Sequence, residues 1–208
     1  MKTLPLSDRD ILAELKSGKI IIEPFSRARL QPNGYDLSIG PVFYTFNNEM
    51  DGFFPFVKDS VDRAYVRHEA KEEIIRVGGK KIRGKFIRLP PHGFVIASTL
   101  ERVGTKGDIV ASIRCRSSLA RTGIDIVRGA GWGDVGFDGV WTIEITNHLS
   151  VPYYLPVGLR IGQMVFFRTE SPPEKPYSGK YSGSTEPALP KLYADKDLAT
   201  LIQIEEEK

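Results

Sequence analysis

Apolar positions along this chain fall into short blocks separated by turn-forming residues. Near the start, Ile11, Leu12 and Leu15 recur at helical spacing, Ser7 is placed to cap, and Asp10 completes a short capping box. Gly18 ends that predicted helix, and the β-branched run Ile20-Ile21-Ile22 follows, stopping at Pro24. Beyond it the pattern is β. Residues 41–46, 86–89, 94–98, 109–113, 140–145, 153–155 and 163–167 are brief, rich in strand formers and bounded by Gly, Pro, Asn or Asp. Many short strands with little helix between them predict a mainly β fold, a sandwich, jelly roll or barrel, behind an N-terminal helix.

Two segments depart from this rhythm. Residues 47–85 hold Gly52-Phe53-Phe54-Pro55-Phe56 and then a charged stretch ending in Gly78-Gly79-Lys80-Lys81-Ile82-Arg83-Gly84-Lys85. They read as an insertion, a β-excursion off the main body whose basic cluster is a solvated hairpin. Residues 171–208 are rich in Pro, Gly, Ser and Tyr and read as an arm that orders on contact, with a frayed end Glu205-Glu206-Glu207-Lys208. The expectation is one domain over 1–208 with these two additions.

Composition then narrows the chemistry. One Cys (Cys115) excludes a disulfide framework, and three separated His (His68, His92, His148) argue against a zinc site, which needs three or four converging ligands. A net charge of +3, from 29 basic and 26 acidic residues, is too mild to imply nucleic-acid binding. No apolar run approaches the ~18–20 residues that span a bilayer, and Met1-Lys2-Thr3-Leu4-Pro5-Leu6 has no signal-peptide core. The expectation is a cytoplasmic protein that binds no membrane.

The densest polar constellation is Arg114-Cys115-Arg116-Ser117-Ser118-Leu119-Ala120-Arg121. Arginines and hydroxyls at a strand end make an oxyanion cradle suited to triphosphate, although surface arginines beside a Ser-capped turn give the same pattern. Gly129-Ala130-Gly131-Trp132-Gly133-Asp134 allows close backbone approach to a flat ligand, with Asp134 able to hold a sugar hydroxyl or orient a water; a Gly-rich turn is the alternative. In 140–147, alternation puts Val140, Thr142, Glu144 and Thr146 on one face and Trp141, Ile143 and Ile145 on the other. If Glu144 faces a pocket, burial raises its pKa toward neutrality and suits it to acid–base work; on an edge strand it faces solvent. Arg160, in the turn before the last predicted strand, and Gln163, at its start, can pair with backbone or a neighbouring subunit.

Together these segments resemble the dCTP deaminase/dUTPase family, on its dCTP deaminase branch. The resemblance is carried by Leu6-Ser7-Asp8-Arg9-Asp10-Ile11, Asn33-Gly34-Tyr35-Asp36-Leu37-Ser38-Ile39-Gly40, Arg116-Ser117-Ser118-Leu119-Ala120-Arg121, Asp134 with Thr142-Ile143-Glu144, Arg160-Ile161-Gly162-Gln163 and Pro176-Tyr177-Ser178-Gly179-Lys180-Tyr181. It implies a distorted β-barrel or jelly roll of the dUTPase-like, β-clip type, assembled as a homotrimer with active sites between subunits. By matched position, Arg116, Ser117, Ser118 and Arg121 would hold the triphosphate, and Ser117, Arg121 and the Ala130 backbone would place a water. Asp134 would bind the deoxyribose 3′-hydroxyl and Glu144 would be general base and acid. Thr142, Gln163 and Ser184 would also touch substrate, and Tyr177, Lys180 and Tyr181 would close the site. Mg²⁺ would arrive on the phosphates, with no zinc and no protein metal ligand.

Three departures stand out. Val127-Arg128-Gly129 and Trp132-Gly133 replace the usual loop before the Asp, Ser182-Gly183-Ser184-Thr185-Glu186 replaces the usual tail, and Ser38 stands where the branch often has Arg. Base specificity can therefore differ, for a modified cytosine among others. Three functions follow: deamination of dCTP to dUTP and ammonia; a dUTPase or bifunctional enzyme yielding dUMP and pyrophosphate; or a non-catalytic nucleotide-binding module.

Overall fold

Helix α1 (Asp8–Ser17) opens the fold with the capping box read from the sequence: the Asp10 N–H donates to Ser7 Oγ, and the Ser7 N–H donates to the Asp10 carboxylate. Burial of Ile11 turns its apolar face onto the sheet. The computed structural model describes residues 4–202, so Met1-Lys2-Thr3 and Glu205-Glu206-Glu207-Lys208 lie outside the described residues. Along the chain come β1 (Ile20–Glu23), β2 (Leu30–Gln31), β3 (Gly34–Phe46), α2 (Lys58–Ala64), β4 (Tyr65–Glu69), β5 (Glu72–Val77) and β6 (Lys80–Leu89). Then follow β7 (Phe94–Thr105), β8 (Ile109–Cys115), α3 (Ser117–Ala120), β9 (Ile124–Asp125), β10 (Trp132–Gly133), β11 (Asp138–Asn147), β12 (Tyr153–Pro156), β13 (Arg160–Arg168) and α4 (Leu198–Leu201).

The main sheet runs β10-β8-β13-β3-β7-β11-β9, with β1 on β7 and both β2 and β4 on β3. Its curl comes from β3. The first half of β3 pairs with β13 and the second half with β7 and β4, with a register break between Ile39 and Phe43 where Gly40-Pro41 interrupts the ladder. A smaller sheet, β12-β6-β5, covers one side. Tyr35, Leu37, Ile87, Leu89, Ile143, Ile145, Met164 and Phe166 fill the space between, each at most 1% exposed. Burying each such side chain contributes about 1.5–3 kcal/mol. The result is the mainly β, distorted barrel with an N-terminal helix that the sequence predicts.

Every predicted strand forms, and each runs further than its apolar block. Pairing carries β6 through Lys80, Lys81 and Arg83, which are exposed, and carries β7 through Arg102. The segment 47–85 is only partly the expected β-excursion. Residues 58–64 are helical, with Lys58–Asp62 and Asp59–Arg63 paired one turn apart and Ser60, Val61 and Ala64 turned inward. The following β4 joins the main sheet beside β3, and the basic cluster lies on the exposed β5–β6 hairpin.

Candidate active site

The alternation read along 140–147 is the one found. Trp141, Ile143 and Ile145 are buried, while Val140, Thr142 and Glu144 on β11 turn to a cavity of about 420 Å³ that Trp141 also borders. Its wall across the sheet is Phe94 and Ile96 of β7, with Ile96 directly opposite Glu144. Tyr65, the first residue of β4, and Ala130, Trp132 and Gly133 close two further sides. Sequence reasoning missed Tyr65, Phe94, Ile96 and Phe137. The outward positions of β7 were legible by alternation, whereas Tyr65 needed the β3–β4 pairing.

Glu144 is the only carboxylate among the described residues lining this cavity. Burial among aromatic and aliphatic walls raises its pKa from 4.5 to about 7; backbone hydrogen bonding and the Arg128 guanidinium oppose the rise, and Asp125 adds to it. Arg128 is held nearby, its guanidinium 5.3 Å from the centre of the Phe94 ring. A carboxyl poised near neutrality in an apolar cavity can take a proton from water and return it.

The chain after β13 forms the remaining wall. The Tyr177 N–H donates to the Val135 carbonyl at 2.7 Å, the Val140 N–H to the Ser184 carbonyl at 2.8 Å, and the Ala188 N–H to Thr142 Oγ1 at 2.8 Å. Tyr181, Ser184, Ala188 and Pro190 thereby enter the cavity lining. Gly136 permits this approach: its φ is +100°, and a Cβ there would lie 2.8 Å from Tyr177 N. Tyr177 packs beside Phe137, ring centres 6.2 Å apart. Lys180 is not among the lining residues; its Nζ donates to Asp195, 2.5 Å distant, and lies 5.6 Å from the Tyr181 ring centre.

Asp134 is exposed at the rim rather than inside, and its Oδ1 accepts a hydrogen bond from Trp132 Nε1 at 3.2 Å. The Arg/Ser cradle is elsewhere again. Arg116 precedes α3, Ser117, Ser118 and Arg121 are exposed around that helix, and none of the four lines the cavity. Gln163 is half-buried on β13, between Arg114 of β8 and Asp36 of β3. One chain thus unites Glu144, Ala130, Thr142, Tyr181 and Ser184, but leaves the cradle outside. Cys115 packs against the core with its thiol pKa pushed up by burial. Ser38 is fully buried; its hydroxyl accepts a hydrogen bond from Arg29, which also pairs with the buried Glu101. Among the described residues no group of three or more His, Cys, Asp or Glu side chains converges, and no helix is long and apolar enough to cross a membrane.

Known proteins resemble this chain both in sequence and in fold. Residues 5–169 match the model of the dCTP deaminase-like family, and the chain belongs to that family. A "dCTP deaminase, dUMP-forming" from Acidothermus cellulolyticus is 37% identical over 179 residues, 86% of this chain and 87% of that one. A "dCTP deaminase" from Haloarcula marismortui is 34% identical over 199 residues, 92% and 96% of the two chains. The crystal structure of the 2′-deoxycytidine 5′-triphosphate deaminase from Agrobacterium tumefaciens superposes with a TM-score of 0.57 at 21% identity. That overlap covers 81% of this chain and 49% of the other, so it speaks to the fold.

Proposed function

We propose that the protein deaminates dCTP, with Glu144 as the proton carrier; the observation that carries this is its carboxyl, pKa about 7, alone of its kind in the cavity among the described residues. The Glu144 carboxylate takes a proton from water held near the Ala130 backbone, and the resulting hydroxide attacks C4 of the cytosine. Glu144 then delivers the proton to N3, a proton moves on to the amino group, and ammonia leaves; dCTP and water give dUTP and ammonia. Positioning and proton transfer lower the barrier. Thr142 and Ser184 border the base and sugar, Asp134 holds the 3′-hydroxyl, and Tyr177, Lys180 and Tyr181 belong to the closing arm.

Arg116, Ser117, Ser118 and Arg121, with Gln163 nearby, hold the triphosphate. Their N–H and O–H donors suit phosphate oxygens rather than a cation, so Mg²⁺ rides on the substrate, where it neutralises phosphate charge. Because the cradle and the cavity lie apart in one chain, the complete site forms between copies, as a homotrimer.

A second reading adds hydrolysis of dUTP to dUMP and pyrophosphate. The name of the Acidothermus relative, dUMP-forming, favours it. Incubation with dCTP and dUTP separately, with chromatographic separation of dUTP, dUMP and pyrophosphate and an ammonia assay, tests both. Ammonia with dUTP alone supports the first reading, dUMP with pyrophosphate supports the second, and no ammonia from dCTP overturns deamination.

A further inference from the structure

A buried carboxylate stands behind the cradle. Asp36 on β3 has a side chain only 5% exposed, and its Oδ2 lies 3.1 Å from Arg160 Nη1 and 3.7 Å from Arg116 Nε. Arg116 Nη1 also donates to the Arg160 carbonyl at 3.1 Å. The ladder between β13 and β3 slips between Arg160 and Gly162, a bulge of the kind that re-aims a side chain. Two guanidiniums are thus gathered at one carboxylate oxygen. Like charges repel, and one buried anion neutralises only one of them, so the group keeps a net positive charge. Both arginine side chains remain partly open to solvent, 31% and 44% exposed. Each guanidinium has five N–H donors, and Asp36 and the Arg160 carbonyl engage few of them.

We propose that Arg160 is a second phosphate-holding arginine beside Arg116, and that Asp36 is the positioning residue that fixes the pair. The ligand is the polyphosphate of the nucleotide, so the proposal rests on the functional reading above. Arg160→Gln then raises the KM for dCTP about ten- to a hundredfold with kcat within a few-fold, the scale of a lost charge-assisted contact. Arg160→Lys recovers part of the loss, because it restores charge without the fork. Asp36→Asn separates positioning from charge: a role through charge alone tightens phosphate binding when the anion is removed, whereas positioning raises KM. Thermal melting identifies any variant that fails to fold, and Arg160→Gln, at a half-exposed site, decides the case if Asp36→Asn does not fold.

Unchanged KM in Arg160→Gln, or a fall in kcat at constant KM, overturns the assignment of Arg160; a lowered KM in folded Asp36→Asn overturns that of Asp36. If the wild type releases no ammonia from dCTP, the functional reading fails by itself. Calorimetric titration with inorganic tripolyphosphate then decides the subsite, since weaker binding to Arg160→Gln than to wild type supports it and equal binding refutes it.

Discussion

At the scale of single residues, the pKa of Glu144 makes two separate demands on experiment. As the base that deprotonates water, Glu144 must be ionised, so kcat/KM for dCTP should rise with pH through a limb centred near 7 and level off above it. Glu144→Gln should lose about 10²–10⁴-fold in rate, the range for removing a positioned acid–base group, and a variant that keeps full rate rules out the mechanism. The same group has a sign to contribute to stability. Its folded pKa of about 7 lies above the ordinary 4.5, so between those values the folded protein binds more protons than the unfolded chain. Stability from this group is therefore fully present below 4.5 and is lost as pH rises through 7. Melting temperatures of wild type and Glu144→Gln should diverge across that window, with the variant gaining on the wild type; curves that stay parallel contradict the desolvated carboxyl.

At the scale of elements, the short β10 strand bears on the shape of the cavity. A Cβ on Gly133 would lie 2.3 Å from Cη2 of Trp141, the aromatic side chain that β11 sends into the core. Gly133→Ala should therefore displace the indole or the loop, at a cost of about 1–3 kcal/mol for overpacking, visible as a lower denaturant midpoint. Because both residues line the cavity, KM for dCTP should rise as well. β11 was legible in sequence because its alternation is local: a period of two along one strand says which side chains are buried wherever the strand sits. Strand lengths were less legible, since β6 is extended through charged residues by pairing with β5 rather than by burial. The helix at 58–64 was hidden because its inward face is made of Ser60, Val61 and Ala64, too small and mixed to print an apolar stripe. Least legible was the Asp36–Arg160 pair, 124 positions apart, which exists only because β3 and β13 are neighbours in the sheet.

At the scale of the whole molecule, the separation of the cradle from Glu144 governs what a lone subunit can do. If Arg116, Ser117, Ser118 and Arg121 of one copy face the cavity of the next, each complete site draws on two chains. A Glu144→Gln chain then still donates an intact cradle, and an Arg121→Gln chain still donates an intact Glu144. Homotrimers of either variant have no intact site, but a mixed trimer joins the sound half of one chain to the sound half of the other. With both variants co-expressed in equal amounts and assembling at random, about a quarter of the interfaces should be fully competent, and a comparable fraction of wild-type activity should return. Mixing the separately purified variants should give less, because recovery then depends on subunit exchange. Activity in the co-expressed sample no higher than the sum of the two variants alone would mean that the cradle serves the cavity of its own chain, or serves none.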